Sequence, residues 1–491
     1  MAEVHHPDGR VDLDATAGRA IAASPLFNPD LAPVPVRARR WTTYNFAALW
    51  ISMAHCIPTY MLASGLMEGG MSWWQALATI FLGNTIVLIP IILNSHAGTK
   101  YGIPFPVLAR ASYGVYGANL PALMRALVAC GWFGINAWIG GAVLHTFFSS
   151  LLPGWHELLG SGRIGGYLPS QWVSFLLFWA INILVIYRGM ELVRRLENFA
   201  APFVLIMAGI LLVWAVSKAK GLGPIVHQPG RLRGAAFWRV FPLALTGMIG
   251  FWATLSLNMP DFTRFGQSQR AQAIGQAVAL PTTMLGFSAM AVIITSATAI
   301  VYGQVIWKPE ELIGHLGHPL LVGVAALTLV IATLAVNIAA NVVSPANDFS
   351  NAWPRRISFQ RGALITGVIG ILFMPWKLTE DTHAYIQGWL VGYSGGLAPI
   401  AAVMIVDYWV LRRKRLNLQD LYLYEGSYRY RRGWNPAALV ATAAGCLAAW
   451  GGLIVPPLRP LFDYAWFVGL GVAGGVYYLL MRREGETSAP A

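Results

Sequence analysis

An all-α integral membrane protein with twelve transmembrane helices is the fold class this sequence predicts, and three observations predict it. Of the 491 residues 56% are hydrophobic and only 11% charged, whereas a soluble domain carries about a quarter charged residues. Twelve apolar segments begin near positions 43, 72, 118, 171, 199, 237, 275, 319, 357, 383, 434 and 461. Each approaches the ~20 residues needed to cross ~30 Å of hydrocarbon. The first and sixth segments are interrupted at mid-depth, as expected of two five-helix repeats of inverted topology followed by two extra helices.

The expected domains follow from these segments. Residues 1–40 form a polar, Pro-containing cytoplasmic tail. It has no apolar h-region, so no cleaved signal peptide is expected, and it reads as disordered. Residues 41–425 hold the ten-helix core, 426–482 helices 11 and 12, and 483–491 a short cytoplasmic tail. The net charge of +13 raises the question of nucleic acid, but its distribution answers it. Twenty-four of the 34 Lys and Arg lie beside alternate loops, nine lie on the other side, and Arg125 falls within a span. That asymmetry is the positive-inside pattern, which puts both termini in the cytoplasm of a multi-pass protein of the cell membrane. The loop from Lys218 to Arg239, with five basic residues facing outward, breaks the pattern. Cys56, Cys130 and Cys446 fall inside spans and form neither a disulfide framework nor a metal spacing.

Backbone inside a bilayer stays hydrogen-bonded only in continuous helices, so a mid-depth break belongs where it faces protein or a cavity. The first span carries His55 and Pro58 at its centre, and the sixth carries Gly247 and Gly250. Either break alone also fits an ordinary membrane-helix kink. Their five-span spacing points to a midplane site of a secondary transporter.

Polar groups at depth supply the chemistry. Trp132 and Asn136, four apart on one face of the third span, recur in type as Asn337 and Asn341 on the eighth. A lone intramembrane carboxamide commonly bonds a neighbouring helix. Read together, Trp132, Asn136, Trp252 and Asn341 form another constellation: two indoles to stack on a flat ring and two carboxamides to read its edge. With no charge among them, the expected ligand is a neutral planar heterocycle.

Here the chain resembles the nucleobase:cation symporter family 1, which carries uracil, cytosine, purines, allantoin and hydantoins. The resemblance rests on Asn28-Pro-Asp-Leu-Ala-Pro33, "IPTYMLASG" from Ile57, "NSHAGTKYGIPFPVLARASYG" from Asn94, "CGWFGINAWIGG" from Cys130, "LNMPDFTRF" from Leu257, "NIAANVVSPANDFSN" from Asn337 and "DYWVLRRKRL" from Asp407. Together these span roughly residues 28–425. The resemblance implies a five-plus-five, LeuT-like fold with helices 1 and 6 discontinuous. It also implies a ring stacked between Trp132 and Trp252, with its edge met by Asn136 and Asn341 and with Phe251 and Cys56 in the lining. At the positions implied for the cation stand Ser52, His55, Ala332, Ala335 and Val336. The expected partners are a heterocyclic substrate, a co-transported cation and the bilayer. Neither a cofactor nor a structural metal is expected, and the chain is expected to act as a monomer.

Two positions depart from the family. Asn136 stands where relatives often have glutamine, so its amide retracts by roughly 1.5 Å, one carbon–carbon bond. Ala335 and Val336 stand where a sodium-coupled member has Ser and Thr hydroxyls, and a hard cation needs several oxygen ligands. Proton coupling is therefore expected over sodium. His55 titrates near neutral pH and is the first candidate carrier, although it also fits a structural hydrogen bond. Asp261 and Asp348 are further candidates, or partners of Arg264, Arg355 or Arg356.

Other signals carry less. Gly469-Leu-Gly-Val-Ala-Gly474 matches a dinucleotide fingerprint without the preceding strand and reads as close helix packing. His156-Glu157 lacks a second histidine, and Ser344-Pro345 reads as a helix-end turn rather than a nucleophile. A membrane enzyme, a channel, a sodium-coupled carrier and an amino-acid carrier of the same fold are the competing classes. The missing nucleophile–base spacing counts against the enzyme, and the paired indoles count against amino acids.

Overall fold

The computed structural model describes residues 3–188, 206, 208–228 and 230–487. The beginning of the expected fifth span, with Arg194 and Arg195, and the last four residues lie outside these. A hairpin of β1 (Glu3–His5) and β2 (Val11–Leu13) leads into α1 (Ala15–Ala23). The first span is α2 (Thr43–Ala54) and α3 (Ile57–Glu68), bent by 59° at the break. Then come α4 (Trp73–Tyr101), a loop helix α5 (Phe105–Tyr113), α6 (Asn119–Leu151) and α7 (Pro169–Arg188). The described part of the fifth span is α8 (Ala208–Lys218), and the sixth is α9 (Ala235–Phe251) and α10 (Leu255–Thr263), bent by 43°. There follow α11 (Gln269–Tyr302), a loop helix α12 (Pro309–Gly314), α13 (Pro319–Asn341) with α14 (Val343–Ala352), and α15 (Phe359–Leu372). The last three are α16 (His383–Leu411), α17 (Pro436–Ile454) and α18 (Ala465–Thr487). Every expected segment thus meets a helix. The ninth, α15, has only 14 residues and rises ~21 Å, short of the bilayer core, and α18 runs on past residue 482 into the expected tail.

Helix packing divides the spans as the repeat requires. Spans one, two, six and seven form one group, with α11 lying along α2, α3 and α4. Spans three, four, eight and nine form another, with α6 packed along α13, α14, α7 and α15. The tenth span, α16, touches α9, α4 and α6 and also carries α17 and α18. The glycines of the third span allow its close approach. A Cβ at Gly134 would lie 2.2 Å from the carbonyl oxygen of Gly370 on α15, so only glycine fits this backbone contact. Gly469, singled out above, likewise sits against Pro399 and Gly395 of α16, a packing role.

The N-terminal tail is ordered, contrary to the expectation of disorder. Its anchor is Arg39, 2% exposed. The guanidinium donates from Nε to Val34 O (2.8 Å), from Nη1 to Thr99 O and Lys100 O, and from Nη2 to Val11 O and Asp12. Burial pulls this group down to about 10 against the opposing charge of Asp12, so it stays charged at neutral pH. Farther along, Ser24 Oγ donates to Tyr422 O, Asn28 Nδ2 to Pro354 O, and Tyr422 Oη to Leu31 O. Arg110 of α5 donates to Leu26 O, Leu421 O and Asn351 Oδ1. With Arg264, just past α10, donating to Asp30 O, the tail straps four loops of the face that also bears the end of α18. The sequence concealed this because Arg39 and Arg110 already had a topological reason to be basic.

On the opposite face, the basic loop is tied to the ends of α3 and α4. Leu232 N donates to Gly70 O, Gln75 Nε2 to Leu232 O, Trp73 Nε1 to Val226 O and Arg231 to Glu68 O. Arg231 thus has a local hydrogen-bond partner in a main-chain carbonyl. Nearby on α12, Glu310 Oε2 is buried without a hydrogen-bond partner among the described residues. Burial outweighs the attraction of Lys308, while Glu311 adds repulsion, and the carboxyl is pushed up to about 7. A carboxyl raised above its unfolded value near 4.3 contributes stability below about pH 4 and loses it as pH rises through about 7. Glu310→Gln should therefore raise the unfolding midpoint at pH 8 and leave it unchanged at pH 4. Equal shifts at both pH values would refute this account.

Candidate functional site

The break in the first span follows from Pro58. Proline at the second position of α3 has no N–H to continue the ladder, and α2 ends at His55 (φ −84°, ψ 70°). In the sixth span the ladder tightens as Trp252 N bonds Ile249 O and Ala253 N bonds Gly250 O, and α10 then restarts at Leu255. Two tyrosines of α16 add hydrogen bonds to carbonyls beside the breaks. Tyr385 Oη donates to Pro58 O at 3.0 Å, and Tyr393 Oη to Gly250 O at 2.6 Å. Neither tyrosine was singled out from the sequence. Their eight-residue separation inside an apolar span was the signal available.

Between the breaks lies one cavity of about 40 Å³. Its lining includes all six residues assigned to substrate: Cys56 from the first break, Trp132 and Asn136 from α6, Phe251 and Trp252 from the sixth span, and Asn341 from α13. Phe251 lies between the indoles, its centroid 5.4 Å from Trp132 and 4.8 Å from Trp252, both nearly perpendicular. Trp50 meets Trp252 edge to face at 5.1 Å. Neither indole has a parallel stacking partner among these rings. The volume suits about three waters, so a planar ring enters only when these aromatic walls separate.

The polar groups are sparse and uncharged. Asn136 Nδ2 donates to Trp132 O at 3.1 Å, and its Oδ1 is buried without a partner among the described residues. Trp252 Nε1 is likewise unpaired, whereas Trp132 Nε1 donates to Tyr393 Oη at 3.3 Å. Cys56 Sγ meets Thr59 Oγ1 at 3.3 Å. Asn341 Nδ2 donates to Asn337 Oδ1 at 3.0 Å.

The residues assigned to coupling divide between places. Val336 lines the same cavity, and Ala335 is buried beside it in sequence. His55 and Ala332 instead line a neighbouring, almost wholly apolar cavity of about 160 Å³ with Phe287 and Trp214. The His55 ring packs edge-on against Phe287 at 4.9 Å, with Nδ1 at Ile51 O. Ser52, partly buried in the last turn of α2, is in the described lining of neither cavity.

The carboxylates correct one expectation. Asp348 pairs with Arg125 of α6 (3.4 Å), both buried, and not with Arg355 or Arg356 among the described residues. Asp261 accepts from Phe105 N (2.9 Å) and from Ser344 Oγ (2.7 Å), and Asn258 meets the same Ser344 Oγ at 2.5 Å. Ser344 therefore sits in the first turn of α14, just past the break at Val342, as a hydrogen-bond donor. Arg125 was the one basic residue with no topological reason, and that oddity was the signal for its buried partner.

Comparison with known proteins agrees with this architecture. Residues 33–469 match the family described as permease for cytosine/purines, uracil, thiamine and allantoin. An allantoin permease of Bacillus subtilis is 43% identical over 93% of this chain and 93% of its own length. A purine-uracil permease of Arabidopsis thaliana is 40% identical over 94% of this chain and 78% of its own. Among solved structures, the nucleobase-cation-symport-1 transporter Mhp1, closed with bromovinylhydantoin bound, superposes with a TM-score of 0.76 at 27% identity, covering 94% of this chain and 96% of that one. With two broken helices five spans apart, a shared cavity between them and these relatives along nearly its whole length, the chain is a membrane transporter and belongs to the nucleobase:cation symporter family 1.

Proposed function

We propose that the protein imports a neutral planar heterocycle, of the uracil, allantoin or hydantoin kind, by proton symport. The observation that carries this reading is the convergence of Trp132, Trp252, Asn136 and Asn341 from three spans on one cavity without a charged side chain. The names of the relatives support the ligand class: allantoin, purine-uracil and, in the Mhp1 complex, a hydantoin.

Proton coupling is supported by Ala335 and Val336, whose side chains bring no oxygen to a hard cation. His55 is the assigned carrier, at the break of the first span. The face bearing the N-terminal strap is cytoplasmic, where most basic residues lie, and the chain works as a monomer in the cell membrane.

The test is uptake of labelled uracil and allantoin in cells lacking their own carriers, at two pH values and with Na⁺ replaced by choline. Saturable uptake that rises at acid pH and is unchanged in choline is expected. His55→Gln should still bind substrate while losing pH-driven accumulation. Uptake that stops in choline would overturn proton coupling and put sodium in its place, and transport of neither ring would overturn the ligand class.

A further inference from the structure

Asn341 does not stand alone behind the cavity. Its Nδ2 donates to Asn337 Oδ1 at 3.0 Å. Asn337 Nδ2 in turn donates to Asn182 Oδ1 of α7 at 3.1 Å and to Phe133 O of α6 at 3.4 Å. Asn182 Nδ2 ends the relay on Phe178 O at 2.8 Å. Asn182 and Asn337 are both fully buried, and neither lines the cavity.

The direction of this relay is fixed at its far end. A main-chain carbonyl can only accept a hydrogen bond, so Phe178 O and Phe133 O require amide nitrogens facing them. Inverting Asn341 alone would set its oxygen against Asn337 Oδ1, acceptor against acceptor. Inverting all three would set two oxygens against two carbonyls. Asn341 therefore keeps its nitrogen towards Asn337 and its oxygen free, with no donor to it among the described residues. Asn136 is pinned the same way by its bond to Trp132 O, and its oxygen is buried without a partner among those residues.

We propose that Asn182 and Asn337 are positioning residues that set the hydrogen-bond polarity of the cavity, making it select rings with two N–H donors flanking a carbonyl over rings with an acceptor in either place. Cyclic ureides have that edge. The inference rests on the functional reading above and narrows it: two carboxamide oxygens meet the two N–H groups. A site built to hydrogen-bond an N–H rejects an analogue lacking it because a buried polar group is then left unpaired.

The experiment compares hydantoin with oxazolidine-2,4-dione, in which a ring oxygen replaces one N–H with little change of shape, as competitors of labelled substrate at pH 5. Wild type should prefer hydantoin by about tenfold or more. In Asn182→Leu only the 3.4 Å contact with Phe133 O still orients Asn337, so the relay is loosened, and the preference should fall below about threefold while the maximal uptake rate stays within about twofold of wild type. Asn337→Asp, buried as the neutral acid, still donates towards Asn182 and offers Asn341 an acceptor, and should keep the preference, whereas Asn337→Leu should lose it, so the pair decides the matter even if Asn182→Leu does not fold. Equal weakening of both rings in the leucine variants, or an unchanged preference, would overturn the proposal and leave the asparagines as packing. Wild type that took up none of hydantoin, uracil and allantoin would overturn the functional reading, and this inference with it.

Discussion

Trp252→Ala is expected to weaken binding of the transported ring by roughly 10- to 100-fold, the range that loss of one aromatic stacking surface gives. The effect should appear in equilibrium binding to the purified protein, not only in uptake, because the indole is assigned to hold the ring. Trp252 also rests on Trp50, 5.1 Å away and fully buried, so the alanine leaves a hole in the helix-six break. Trp252→Phe fills much of that hole and keeps a smaller stacking face, and its affinity should lie between the two. If the alanine variant elutes as a monodisperse protein and binds as tightly as wild type, the stacking role of Trp252 is wrong.

Arg125→Met alone should destabilise the protein by about 3–5 kcal/mol, because it strands the buried Asp348 carboxylate without its partner. The double variant Arg125→Met/Asp348→Leu should recover most of that loss. The pair is not fully satisfied even in the native protein: Arg125 Nε and Asp348 Oδ1 lack hydrogen bonds, so replacing both charges removes two desolvation costs together. Thermal unfolding in detergent, read for both singles and the double, checks this through the coupling between the sites. Additive losses would show that the two groups do not act as a pair.

The parts of the molecule that could be read in advance are those whose cause is local. Pro58 removes a backbone donor where it stands, and Gly250 and Asn136 are conspicuous because their neighbours are apolar. The resemblance to known permeases then joined residues 56, 132, 136, 251, 252 and 341, which the structure brings to one cavity. What escaped notice depends on partners distant in sequence. Asp348 had Arg355 and Arg356 seven and eight residues away, yet it chose Arg125, 223 residues earlier. Tyr385 and Tyr393 looked like ordinary span aromatics until the carbonyls of two broken helices met them. Asn182 sits in an apolar stretch with no local reason to be polar, and its role appears only when Asn337 is beside it.

The strap over the terminal face also bears on the order in which the chain can be completed. Glu3 meets Leu418, Ser24 meets Tyr422 and Asn28 meets Pro354, across 415, 398 and 326 positions. Synthesis runs from the N-terminus, so Glu3 and Ser24 must wait for the tenth span and the loop after it before they can dock, whereas Asn28 needs only the loop that holds Pro354. Until then Arg39 can use only near partners such as Val11, Val34 and Thr99. A nascent chain halted at residue 411 should therefore keep the Arg39 anchor and the contacts of Leu26 with Arg110 and Asn28 with Pro354 while leaving Glu3 and Ser24 undocked and open to protease, and protection of Ser24 would time the arrival of the loop that follows the core.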